Sequence, residues 1–266
     1  DPLDENEFEL IMRDKGFEAT KNGEYLVATK MIKDFNTCVY KNELYCYNGT
    51  KYENDELSLK HMIYSMVGDQ KTAYVDEVCK QMLYRSKKIP LDTIFNIKFN
   101  NGVLINGEFV EIDDYKEFTP YYVEWLTWTT PAVQAEPVEI VDNYVAQLTN
   151  DDEKYKDLLF EILAHGLITD PEVKRSLAKF FIFVGDGGNG KGTLLSIIRS
   201  ILNRENCSGL KIKQMSDERY AYSMDGKLVN LGDDIQDQPI NGKDMEMLKN
   251  ISTCDYVEIR KMFKNS

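Results

Sequence analysis

The chain has 266 residues, of which 42% are hydrophobic and 29% charged, and a formal net charge of −13. That composition is ordinary for a globular protein with a real core, and the length suggests about two domains. The acidic balance argues against a broad nucleic-acid-coating surface, while leaving room for a narrow basic channel inside an acidic exterior.

Residues 1–20 are acidic and weakly patterned, an arm or a short helix. The start, Asp1-Pro2-Leu3-Asp4-Glu5, has no basic region followed by an apolar stretch and does not read as a secretory leader. It also does not begin with Met, which reads as a piece of a longer protein. Residues 24–35 have a helical pattern. Cys38-Val39-Tyr40 and Leu44-Tyr45-Cys46-Tyr47 flank a turn at Lys41-Asn42-Glu43 and read as a hairpin, followed by an Asn48-Gly49 turn. Residues 56–86 are helical, with apolar positions at Leu57, Leu59, Met62, Ile63 and Met66, then Val75, Val78, Cys79, Met82 and Leu83. Helix, hairpin and helices together are compatible with a small winged-helix-like module. Residues 90–135 read as strand and loop, with a second hairpin signal across Asn96 to Phe109 and Gly107 at its turn. The aromatic-rich link at Trp125, Trp128 and Pro131 is expected to pack on the next domain rather than on nucleic-acid bases.

Residues 138–169 read as two helices. Tyr155, Leu158, Leu159, Ile162 and Leu163 recur at spacings of three and four and form a stripe that needs a partner, an adjacent helix or a neighbouring subunit. His165 falls in this helical pattern and His61 lies beside apolar residues, so both are expected to be structural or surface groups. The five cysteines form no C-x-x-C pair. A zinc site is therefore not expected, and free thiols in a reducing cytosol fit best. No apolar run approaches the roughly 18 residues of a membrane span, so no membrane partner is expected.

Phe180-Phe181-Ile182-Phe183-Val184 is a compact β-rich run, expected as a central strand buried on both faces. Gly185-Asp186-Gly187-Gly188-Asn189-Gly190-Lys191 then matches G-x-x-x-x-G-K. Glycines allow the backbone to curl with its N–H groups toward phosphate oxygens, and Lys191 supplies a point positive charge to the β and γ phosphates. A helix from about Lys191 to Leu202, apolar at Leu194, Leu195, Ile197, Ile198, Ile201 and Leu202, would turn its dipole to the same anion. Gly192 stands where Ser or Thr usually binds Mg²⁺. Thr193 follows, and a phosphate or a metal-bound water is open to it. Nucleotide binding is thus assigned to Gly185, Asp186, Gly187, Gly188, Asn189, Gly190, Lys191, Gly192 and Thr193, with ATP and Mg²⁺ as cofactors.

Lys227-Leu228-Val229-Asn230-Leu231-Gly232-Asp233-Asp234 reads as an apolar strand ending in two carboxylates. ATP hydrolysis needs a carboxylate near Mg²⁺ and a base that orients water, and a strand beside the loop strand would deliver both at its carboxyl end. Lys191, Asp233 and Asp234 are accordingly the catalytic candidates. Asp233, with Thr193, is the metal candidate, and Asp234 polarises water. The interval between Lys191 and Asp233 has room for a helix, a strand near Leu210 to Ile212 and a second helix. Downstream, Arg260, Lys261 and Lys264 surround Phe263, and such a basic, aromatic-bearing element suits a DNA backbone as well as it suits a solvated strand end.

From about residue 21 onward the sequence resembles the phage/plasmid and poxvirus-type primase–helicase proteins, whose motor is a superfamily 3 AAA+ helicase. The resemblance rests on residues 185–193, on residues 227–234 and on Leu248 to Lys264. Its implied fold class is α/β: a P-loop AAA+ core, C-terminally truncated, preceded by an α+β accessory region and a helical segment. The corresponding division is 1–20 acidic arm, 21–135 accessory domain, 136–178 helical segment suited to oligomerisation, and 179–266 incomplete ATPase core. The resemblance further implies an ATP-driven DNA helicase of a phage or mobile element, assembled as a hexameric ring on single-stranded or forked DNA. A primase domain or partner would accompany it, in the cytoplasm of a bacterial host or of a virus-infected cell. Lys261 or Lys264 would lie on or beside the DNA-gripping loop. The γ-phosphate-sensing asparagine and the arginine finger would lie beyond Ser266, so the isolated fragment is expected to be weak or inactive.

Two rival readings follow from the same residues. Gly-Lys-Gly-Thr also resembles the loop of adenylate-kinase-like nucleotide kinases, although few arginines lie between residues 193 and 266. The other rival is a non-unwinding ATP-binding scaffold or origin-binding module.

Overall fold

The computed structural model describes residues 23–68, 70–124, 138–232 and 239–255. Residue contacts divide the chain into two units. The described part of one is residues 23–93 with 116–120. The other holds residues 94–115 and the described residues from 121 onward. The division falls inside the 21–135 segment, after Thr93.

In the first unit, helix α1 (Gly23–Asp34) leads into β1 (Cys38–Tyr40), β2 (Glu43–Tyr47) and β3 (Tyr52–Glu53). Lys41 and Asn42 join β1 to β2 with φ of 51° and 61°. Two consecutive left-handed residues make the tight turn whose twist matches paired strands, and Asn tolerates that conformation better than most residues. Helices α2 (Glu56–Val67) and α3 (Thr72–Arg85) follow, then β4 (Lys87–Lys88), giving a sheet of order β3-β2-β1-β4. The continuous helical pattern over 56–86 is broken at Gly68, whose φ of 67° ends α2. Asp55 caps the front of α2 by accepting from the N–H groups of Leu57 and Ser58. Val27, Met31, Ile63, Val75, Val78 and Met82 meet in a fully buried cluster. On a second apolar cluster, Phe118 lies 5.0–5.6 Å, ring centre to ring centre, from Tyr40, Tyr45 and Tyr52. All five cysteines are free thiols. Burial pushes Cys38 and Cys46 up to about 12, which leaves them unreactive neutral groups.

The second unit contains a meander of β5 (Ile97–Phe99), β6 (Gly102–Ile105) and β7 (Glu108–Val110), with β8 (Tyr122–Val123) parallel to β5. Asn106 and Gly107 form the β6–β7 turn with φ of 51° and 83°, the second expected hairpin. Helices α4 (Glu139–Thr149), α5 (Glu153–His165) and α6 (Pro171–Leu177) come next. Asp170 caps α6, whose first residue is the proline that fits there. After residues 178–190 comes α7 (Lys191–Ile201), then β9 (Cys207–Ser208), α8 (Ile212–Met215), α9 (Glu218–Ala221), β10 (Val229–Asn230) and α10 (Gly242–Ser252). Strands β9 and β10 pair in parallel. No helix among the described residues is long and apolar enough to cross a membrane.

Three local expectations are corrected. Residues 180–184 form no ladder among the described residues, and their side chains are between 36% and 89% exposed, not buried on both faces. Apolarity creates a need for cover, but a strand exists only where a neighbour pairs its backbone. The ring of Phe181 does meet His165, edge to face at 5.3 Å. The strand expected near Leu210 is β9, three residues earlier, because Gln214 accepts from the Lys211 N–H and starts α8 there. The α5 stripe is split: Leu159 and Leu163 pack inward, whereas Tyr155 and Leu158 remain exposed.

Candidate nucleotide-binding site

The glycine-rich turn leads directly into α7, as its sequence requires. Gly188 and Gly190 take φ of 78° and 87°, a left-handed region where a Cβ is strained. Gly190 caps the helix, and its carbonyl accepts the first helical hydrogen bond, from Leu194 N–H at 2.9 Å. Lys191 opens the helix and folds back over the turn. Its Nζ donates to the carbonyls of Gly185 at 2.7 Å and Asp186 at 2.9 Å, and to Asn189 Oδ1 at 2.7 Å. One cation is therefore already held against the backbone that the motif predicts as a phosphate cradle, and phosphate oxygens would compete with these three acceptors. Gly185, Asp186, Gly187, Gly188, Asn189, Gly192 and Thr193 are exposed, so the turn is open to a ligand.

Two elements fix the turn from behind. Leu194 and Ile198 bury the inner face of α7 in a cluster with Leu159, Leu202 and Leu231. Leu231 follows β10 and lies two residues before Asp233, so the end of the acidic strand shares a core with the loop helix. From α4, the Tyr144 hydroxyl donates to the Gly190 carbonyl at 3.0 Å. Burial raises its pKa, which keeps it a donor.

Strand β10 is held by an asparagine that acts as backbone. Asn230 Oδ1 accepts from Ser208 Oγ and from the Leu210 N–H, both at 2.8 Å, and its Nδ2 donates to the Leu210 carbonyl at 2.9 Å. The Leu231 N–H donates to the Ser208 carbonyl, extending the parallel pairing toward Gly232. Helix α6 grips two neighbours at once. Lys174 Nζ donates to the Leu228 carbonyl at 3.3 Å, and burial lowers its pKa. Arg175 donates to the carbonyls of Thr253 and Cys254 at the end of α10.

The structure thus brings together Lys191, the turn 185–190 and, through Val229 and Leu231, strand β10. Asp233 and Asp234, and the DNA candidates Arg260, Lys261 and Lys264, lie outside the described residues. Among the described residues no cluster of three His, Cys, Asp or Glu is placed to hold a metal ion. Sequence reasoning missed Tyr144 and Asn230. The first is an ordinary tyrosine in an amphipathic helix far upstream. The second had a signal, a polar residue inside an otherwise apolar strand, which asks for hydrogen-bond partners.

The exposed glycine turn opens an α-helix, and its sequence has the G-x-x-x-x-G-K spacing. A protein family described as Family of unknown function (DUF5906) matches residues 183–266, from the residues just before the turn through α7, β10 and α10. No curated protein matches the chain.

Proposed function

We propose that the chain carries the ATP-hydrolysing motor of a DNA helicase that serves replication of a phage or mobile element. The observation that carries the reading is the Lys191 ammonium held against the glycine turn at the N-terminus of α7. That geometry supports nucleotide binding, since a helix N-terminus and a lysine lie together at an exposed glycine turn, a combination that suits an anion. Hydrolysis is supported by the two carboxylates, Asp233 and Asp234, that come after β10 in the sequence, Leu231 just before them lying in the core of the same helix. The helicase assignment rests on the order of these motifs and of the basic segment after α10, with a ring of subunits on single-stranded or forked DNA.

The oxygen donors suit a hard divalent cation. Thr193 is exposed in the first turn of α7, and Asp233 follows the strand end, so these two would hold Mg²⁺. Magnesium would supply charge neutralisation at the phosphates. Lys191 orients the triphosphate, and Asp234 orients the attacking water.

The test is hydrolysis by the intact protein with and without single-stranded DNA, beside Asp233→Asn and Asp234→Asn. Expected are DNA-stimulated release of phosphate and separation of forked strands, both lost in the variants while ATP still binds. Wild-type protein that binds ATP without hydrolysing it on DNA would make it a scaffold. Diphosphate formed from an added mononucleotide would make it a kinase.

Position 192 gives a second, independent test. A Cβ placed on Gly192 meets nothing within 4 Å. Gly192→Ser is therefore expected to fold at least as stably, serine being the better helix former by about 0.5 kcal/mol. It should lower the magnesium concentration that half-saturates nucleotide binding. An unchanged or raised magnesium requirement would count against a metal beside this turn.

A further inference from the structure

We propose that Tyr144 is a positioning residue for the phosphate loop, acting through the Gly190 carbonyl. The inference rests on the nucleotide-binding reading above and goes further, because it assigns part of the anion cradle to a helix outside the motif. The Gly190–Lys191 peptide is planar and trans, so its carbonyl and its N–H point in opposite directions. Whatever fixes the carbonyl also aims the N–H of Lys191, one of the donors a bound phosphate needs. Two donors fix it: the Leu194 N–H at 2.9 Å, along the helix, and the Tyr144 hydroxyl at 3.0 Å, from α4.

The tyrosine can do this because its ring is anchored. It packs against the cluster of Leu159, Leu194 and Ile198, and its hydroxyl donates to the turn at the Gly190 carbonyl. A Cβ on Gly190 would lie 3.3 Å from the Tyr144 ring and 3.5 Å from Leu148. The last glycine of the turn is thus seated against α4 as well as bent by its own φ of 87°. Its φ calls for glycine there, and a Cβ would in addition crowd the Tyr144 ring.

The experiment measures the affinity of the intact protein for MgATP and for inorganic tripolyphosphate, alongside the melting temperature. The variants are Tyr144→Phe, Leu159→Ala and Lys191→Ala. Tyr144→Phe keeps the ring and loses one hydrogen bond, so affinity should fall about fivefold. The fall should be equal for both probes, because the effect is on the phosphate cradle and not on a base or sugar. Leu159→Ala, which loosens the packing under the ring but keeps the hydroxyl, should lower the melting temperature more and the affinity less than Tyr144→Phe does. Wild-type affinity in Tyr144→Phe would overturn the proposal, and so would an equal loss in Leu159→Ala, which would reduce the tyrosine to packing. If wild type and Lys191→Ala bind triphosphate equally poorly, the nucleotide reading itself falls, and this inference with it.

Discussion

Lys191→Ala is expected to weaken nucleoside triphosphate binding about 10- to 100-fold, the range set by losing a charge-assisted hydrogen bond to phosphate. Stability should change little. Alanine is the best helix former, and Lys191 sits at the helix start, where its contribution to packing is small. The side chain's three acceptors, the carbonyls of Gly185 and Asp186 and the Asn189 amide, are on exposed residues and are left to water. A titration with a fluorescent ATP analogue reads the affinity, and a thermal melt reads the fold. Affinity within twofold of wild type, with the melt unchanged, would show that the ammonium is only a clasp for its own turn. Lys191→Arg separates charge from shape. The planar guanidinium cannot converge on three acceptors around one point as an ammonium does. A substantial loss in that variant too would show that the compact cation matters, not the charge alone.

The parts of this site that were legible in the sequence are those fixed by local chemistry. The turn needs left-handed residues and has glycines for them. The helix needs an apolar stripe and has Leu194 and Ile198 one turn apart, both buried as the spacing requires. The two hairpins are marked by Asn-containing turns for the same reason. What could not be read is what depends on a neighbour. Residues 180–184 are a compact β-rich run, and yet they pair with nothing among the described residues. Strands β9 and β10 do pair, but each is two residues long, and their contact centres on Ser208 and Asn230, polar residues that a search for buried strands passes over. Tyr144 lies at the extreme of this limit. Its role comes from a hydroxyl position set by three helices, and nothing in its own neighbourhood of sequence indicates it.

Phe99→Ala should have the largest effect on folding, about 3–5 kcal/mol, as expected for emptying a large buried aromatic site. Phe99 is 1% exposed and lies on the central strand β5, with Gly102 opposite it and Val123 beside it. Its ring meets Phe109 edge to face at 6.1 Å. The site has little freedom to collapse, since Gly102 is already covered closely by the Phe109 ring and the Val110 carbonyl. The consequence reaches the candidate site through shared packing. Phe99 clusters with Ile97, Val123 and Leu228, and Val229 and Leu167 pack on this cluster and also on that of Leu194, Ile198 and Leu231. The meander and the loop helix are therefore joined through β10, the strand that leads to Asp233. Asn203 and Asn206 add to the joint by donating to the Tyr122 carbonyl beside β5. Urea denaturation should accordingly show the meander and α7 unfolding in one transition, in wild type and at lower urea in Phe99→Ala. Saturating ATP should protect both regions from hydrogen exchange, although the ligand touches only one. Separate transitions for the two regions would mean that β10 does not couple them. The meander would then be a neighbour of the site and not its support.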